Sequence, residues 1–172
     1  MPKLSSRLLV VTDRHQTNGR PLVTLLQRVF TAGAPAIQLR ERDLSARELV
    51  TLAREVQAVP ASYRSQLLIN DRIDVALALE GVGVHLRSNS LPVSVARQLL
   101  GAQCLLGISV HAVEEALSAQ SQGADYIILG PIYETPSKQI FGPPLGIHTL
   151  EKACRLVRIP IVGIGGVTAA RA

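Results

Sequence analysis

The sequence predicts an α/β fold of the (β/α)8 TIM-barrel type, with residues 1–172 forming one domain that ends after about seven strands. Three observations lead there. Short apolar runs recur along the chain, and the segments between them carry apolar residues at helical spacing. Aromatic residues make up only 3% and tryptophan is absent, so the core must be built from Leu, Ile, Val and Ala, which suits layered strands and helices.

The apolar runs Leu8–Val11, Ala36–Leu39, Gln66–Ile69, Gly83–Leu86, Cys104–Ile108, Tyr126–Leu129 and Ile159–Ile164 are the signals of strands buried on both faces. After the first run, Leu22, Leu25, Leu26 and Val29 mark a helix. After the second, Leu49, Leu52, Ala53 and Val56 mark another, opened by Ser45 with Glu48 three residues on, a capping box. Ile73, Val75 and Leu77 follow the third run, and Val113, Ala116, Leu117 and Gln120 follow the fifth. Gly33 and Gly123 stand where a helix ends in a left-handed residue. Repeated βα units with right-handed crossovers give a parallel sheet, and an unchanging step closes it into a barrel. A closed barrel usually needs more than ~200 residues. The chain is therefore expected to lack the last βα unit, and the open edge to favour a homo-oligomer.

A formal charge of +5 and a pI of about 9.8 favour anionic partners. The bases alternate with acids, however, as in Arg40-Glu41-Arg42-Asp43 and Arg54-Glu55, and few aromatics exist for base stacking, so no nucleic-acid partner is expected. No apolar run approaches the ~20 residues of a membrane span, so no membrane partner is expected either. The start of the chain has no secretory pattern, and Cys104 and Cys154 read as buried thiols, which points to the cytoplasm.

In such a fold the chemistry gathers at the carboxyl ends of the strands. There the sequence places Thr12-Asp13, Arg40-Glu41-Arg42, Asn70-Asp71-Arg72, Arg87-Ser88-Asn89-Ser90, Ser109-Val110-His111, the loop from Gly130 to Gly146, and Gly165-Gly166. The paired glycines, read as opening a helix, form a phosphate-cradle pattern or a tight turn. Thr135-Pro136-Ser137-Lys138 sits in a long Gly/Pro-rich loop of the kind that closes over ligands, and its lysine suits a diphosphate. Asp71 reads either as a Mg2+ ligand or as the N-cap of the following helix. His85 reads as a core histidine, and His111, beside Glu114 and Glu115, as a helix-capping residue or a proton-transfer group.

Seven motifs in order, Gln38-Leu39-Arg40-Glu41-Arg42, Leu68-Ile69-Asn70-Asp71-Arg72, Gly83-Val84-His85-Leu86, Gly107-Ile108-Ser109-Val110-His111, Ala124-Asp125-Tyr126, Gly130-Pro131-Ile132-Tyr133-Glu134-Thr135-Pro136-Ser137-Lys138 and Ile164-Gly165-Gly166-Val167, resemble the thiamine phosphate synthase/TenI family nearly end to end. The resemblance implies that phosphorylated thiamine precursors are the partners. A synthase of this family joins hydroxymethylpyrimidine diphosphate to thiazole phosphate and releases diphosphate with the help of Mg2+. It further implies that Gln38, Arg40, Asn70 and Lys138 contact the pyrimidine diphosphate, that Asp71 binds metal, and that Ser109 lies near the pyrimidine. Thr135 with Gly165-Gly166 would hold the thiazole phosphate.

Two departures lean the reading toward the TenI-like branch, which binds thiazole phosphate and is linked to its tautomerisation. Ser90 stands where synthases carry a second metal-binding Asp, and Arg42 replaces a lysine of the substrate site. Pro131 holds the place of the tautomerase histidine, which leaves His111 and Glu134, with Lys138, as the catalytic candidates. Thiamine phosphate synthesis is the alternative, and a non-catalytic phosphate-binding homologue is the third reading.

Overall fold

The computed structural model describes residues 2–4, 7–33, 36–59, 66–135 and 143–171. Seven strands, β1 (Val10–Val11), β2 (Ala36–Leu39), β3 (Gln66–Asn70), β4 (Gly83–Leu86), β5 (Leu106–Val110), β6 (Tyr126–Leu129) and β7 (Ile161–Gly163), follow one another in the sheet in chain order. The helices are α1 (Leu22–Thr31), α2 (Ala46–Gln57), α3 (Ile73–Leu77), α4 (Val93–Leu100), α5 (Val113–Ser121) and α6 (Gly146–Leu156). The chain forms two compact units, an N-terminal one of Pro2–His85 with Leu100–Leu105 and a C-terminal one of Leu86–Leu99 with Leu106–Ala172.

In the N-terminal unit, β1, β2 and β3 pair in parallel, with Val10 opposite Ile37 and Leu39 opposite Ile69. Every residue of β2 is buried, Gln38 among its apolar neighbours included. Helix α2 covers the unit with Leu49, Ala53 and Val56 inward. Its first turn is closed as the sequence predicts: Ser45 Oγ accepts from the Glu48 N–H, and the Glu48 carboxylate accepts from the Ser45 N–H at 2.8 Å. α1 buries Leu26 and Phe30, one turn apart, and is followed by Gly33, whose φ of +84° favours glycine. The first strand is shorter than its apolar run: Leu8 is 60% exposed, because β1 pairs only with Ile37 and Gln38.

His85 in β4 is only 1% exposed, and burial pushes its pKa down to about 3 against the opposing pull of Asp71. Its folded pKa thus lies below its ordinary 6.5, so between those values the unfolded chain binds a proton that the folded chain refuses. Stability that is complete above pH 6.5 is lost as pH falls, by about 1.4 kcal/mol per pH unit, or roughly 2 kcal/mol at pH 5. Urea unfolding at pH 7 and pH 5 should show this loss, and His85→Gln should flatten it. An equally steep loss in the variant would remove His85 as its origin.

In the C-terminal unit, β5, β6 and β7 pair in parallel, with Gly107 opposite Tyr126 and Leu129 opposite Gly163. A β-carbon on Gly107 would lie 2.0 Å from Tyr126 Cζ, so the glycine makes the room that the fully buried ring occupies. Arg97 of α4 meets the loop before β6. Its Nη2 lies 2.6 Å from Asp125 Oδ2, its Nε and Nη2 donate to the Gly123 carbonyl, and Asp125 Oδ2 also accepts from the Leu106 N–H. Helices α4 and α6 have no counterpart among the helices read from the sequence.

Three sequence expectations need correction. Cys154 is exposed and Cys104 half-buried: α6 buries only Ala153, and the next residue, about 100° further round the helix, faces solvent. Asp71 does not cap α3. It has φ +64° and Arg72 occupies the N-cap position without a side-chain bond. Gly165 and Gly166 lie in a bend, and Ala169–Arg171, where the sequence reading expects the first turn of a helix, form a turn.

Candidate functional site

Parallel strands deliver the residues after β2 and β3 to one sheet edge of the N-terminal unit. Gln38 and Asn70 sit at the carboxyl ends of these strands, 3% and 8% exposed, and Gln38 Nε2 donates to Asn70 Oδ1 at 2.8 Å. Two residues assigned to the same ligand are thus brought into contact across 32 positions of sequence. Arg40 follows β2, half-buried, with its N–H on Thr12 Oγ1 at 2.9 Å. Asp71 follows β3, where its N–H donates to the His85 carbonyl at 2.8 Å. Arg42 is exposed, and Arg72 is turned onto Asp74.

Beside Arg40 the structure reveals a network to which the sequence reading gave no role. Glu41, 4% exposed, accepts from Thr12 Oγ1 at 2.6 Å and from the Arg14 N–H at 3.1 Å. Arg14 also forks onto Asp43, and this hydrogen bond holds the Asp43 carboxyl well below the usual carboxylate range. The sequence placed Thr12 and Glu41 after strands and alternated the charges around them, but neither signal says which acid is buried. An open depression of about 490 Å³ in this unit is lined by Arg14, His15, Arg20 and Glu55 among others, and none of the expected site residues lines it.

The C-terminal unit places Ser109 within β5, His111 after it, Thr135 in the β6–α6 connection and Gly165-Gly166 after β7. Ser109 and Thr135 are half-buried, while Glu134 and His111 are exposed. The His111 ring is not a cap. α5 begins after Ala112 without a side-chain cap bond, Glu115 accepts from the His111 N–H at 2.7 Å, and His111 Nδ1 lies 2.5 Å from the Gly130 carbonyl. A carbonyl only accepts, so Nδ1 is the donor in this contact.

The paired glycines have φ +94° and +64°. A β-carbon on Gly165 would lie 2.6 Å from Pro131 Cβ, and one on Gly166 2.5 Å from the Glu134 carbonyl oxygen. The pair is therefore required by close packing against the 131–134 loop, quite apart from any ligand. Its carbonyls are used, Gly165 O by the Tyr133 N–H and Gly166 O by Arg171, whose guanidinium also stacks on the Tyr133 ring. Among the described residues, neither glycine N–H donates to a protein acceptor. Lys138, with Pro136 and Ser137, lies outside the described residues.

Asp71 of the N-terminal unit is the carboxylate that the family resemblance assigns to a metal; Ser90 of the C-terminal unit is half-buried in a turn closed by its N–H on the Arg87 carbonyl. Among the described residues no group of three or more His, Cys, Asp or Glu converges as a metal site. One carboxylate with substrate phosphate oxygens is still a donor set that Mg2+ accepts.

Comparison with known proteins places these observations. A sequence model described as thiamine monophosphate synthase matches residues 8–172. A putative thiamine-phosphate synthase of Geobacter sulfurreducens is 43% identical over 97% of this chain and 78% of its own length. A thiamine-phosphate synthase of Moorella thermoacetica is 43% identical over 93% of this chain and 76% of its own. Among solved structures, a thiamine phosphate pyrophosphorylase from Pyrococcus furiosus superposes with a TM-score of 0.82 at 32% identity, covering 93% of this chain and 75% of that one. Such a likeness establishes the TIM-barrel type of α/β fold.

Proposed function

The chain belongs to the thiamine phosphate synthase/TenI family, and from that premise we propose that it is a thiamine phosphate synthase, a transferase joining hydroxymethylpyrimidine diphosphate to thiazole phosphate. The observation that carries this reading is the name of the relatives: those that are 43% identical over more than nine-tenths of the chain are called synthases. They favour this reading over the TenI-like branch expected from Ser90 and Arg42.

The reaction forms a C–N bond from the thiazole nitrogen to the methylene carbon of the pyrimidine. The C–O bond to diphosphate breaks and its electron pair leaves with the diphosphate. The protein's task is to accept that growing negative charge. Arg40 and Lys138 supply cations, and the Gln38–Asn70 pair supplies amide groups held in one geometry by their mutual hydrogen bond. Asp71 would hold Mg2+, which when bound would supply positive charge for the leaving diphosphate. Thr135 and the N–H groups of Gly165-Gly166, which donate to no acceptor among the described residues, would take the thiazole phosphate, a role that suits backbone donors at positive φ. Ser109 lies near the pyrimidine in this assignment.

Incubation of the chain with both precursors and Mg2+ should release diphosphate and thiamine phosphate in equal amounts, with nothing formed when either precursor is withheld. A second reading is favoured by Ser90: a TenI-like protein would release no diphosphate but would exchange protons on thiazole carboxylate phosphate without metal, with His111 Nε2 or Glu134 as the acid/base. That pair of results would overturn the synthase reading.

A further inference from the structure

In the N-terminal unit one buried charge has no task in the proposed reaction. Glu41 is 4% exposed, and a carboxylate is costly to bury unless donors surround it. Among the described residues its donors come from the segment after β1: the Thr12 hydroxyl at 2.6 Å, the Arg14 N–H at 3.1 Å and the Arg14 guanidinium at 3.3 Å. An ionised carboxylate can only accept, so Thr12 must spend its single hydroxyl proton on Glu41. The lone pairs of the same oxygen then face the Arg40 N–H, which donates to it at 2.9 Å. The Thr12 N–H in turn donates to the Gln38 carbonyl at 3.0 Å. The backbone that carries both Gln38 and Arg40 is thus pinned to the neighbouring segment through one hydroxyl whose direction is set by Glu41.

We propose that Glu41, acting through Thr12, is a positioning residue that holds Arg40 in place for the diphosphate of the pyrimidine substrate. The proposal rests on the reading of Arg40 as a diphosphate ligand. Glu41 touches no reacting atom in this account. It removes the freedom of the peptide next to the guanidinium, so that less is lost when the ligand binds.

Calorimetric titration of the full chain with inorganic diphosphate and Mg2+ tests it, because the stoichiometry reports the folded fraction and Kd reports the site. Thr12→Val keeps the shape but loses the hydroxyl, and it should weaken Kd about tenfold with the stoichiometry unchanged, the cost of one lost oriented hydrogen bond. Thr12→Ser should restore wild-type Kd. Glu41→Gln should resemble Thr12→Val, and if that variant does not fold the Thr12 pair decides. Wild-type Kd in Thr12→Val, together with weakened binding in Arg40→Ala, would reduce Glu41 to a structural role and overturn the proposal alone. Wild-type Kd in Arg40→Ala, or no binding by the wild-type chain, would overturn the assignment of Arg40 and the proposal with it.

Discussion

Replacement of Arg97 by methionine is expected to lower the unfolding free energy by about 3 kcal/mol, the usual loss when one partner of a buried ion pair is removed. The Arg97 side chain is 19% exposed and that of Asp125 only 5%, so the carboxylate left behind would remain out of water with the Leu106 N–H as its remaining donor among the bonds described above. The Gly123 carbonyl at the end of α5 would lose two donors in the same step. Methionine keeps an apolar stem beside Gly123, which separates the charge from the packing. Urea unfolding should show the midpoint falling with the slope unchanged. Adding Asp125→Asn should recover part of the loss, since the stranded charge is then gone. A single variant within about 0.5 kcal/mol of wild type would mean that the pair is not buried in solution.

Arg40→Ala is expected to lower kcat/KM for the pyrimidine diphosphate roughly 100-fold, about 3 kcal/mol, if two charge-assisted hydrogen bonds to phosphate are lost. The loss should appear in kcat as well as KM, because charge accumulates on the diphosphate as the C–O bond breaks, so the guanidinium is worth more at the transition state than before it. KM for thiazole phosphate should stay near its wild-type value. Arg40→Lys should recover only part, since an ammonium cannot make the two parallel bonds of the guanidinium fork. Steady-state kinetics with each precursor varied in turn decides this, and unchanged constants would show that Arg40 does not reach the leaving group.

The residues that were legible in the sequence are those whose environment is set locally. Short, mainly apolar runs gave Ala36–Leu39, Gly83–Leu86 and Tyr126–Leu129 with the bounds observed, because a strand covered on both faces is mostly apolar, with Gln38 and His85 as its buried polar exceptions. The Ser45–Glu48 cap was legible because both of its hydrogen bonds close within one turn. The helical spacing of α1 and α2 named the faces that are buried. Local signals failed where two outcomes share one pattern. Asp71 has the sequence position of a cap but a left-handed backbone, and His111 stands where a capping residue would but bonds a carbonyl 19 positions away.

By itself the sequence determined the order of βα units, the parallel direction of the strands and the set of polar residues that follow them, since periodicity, caps and crossover handedness act over neighbouring residues. Only the tertiary structure decided which of those residues meet. It placed Gln38 against Asn70, Thr12 and Arg14 around Glu41, and Arg97 on Asp125. It also showed that Gly165 and Gly166 answer to Pro131 and Glu134 before any ligand. The physical reason is that each of these contacts joins different strands, helices or loops, and which side chains face one another there follows from strand register and the path of the connections, which no short-range pattern encodes.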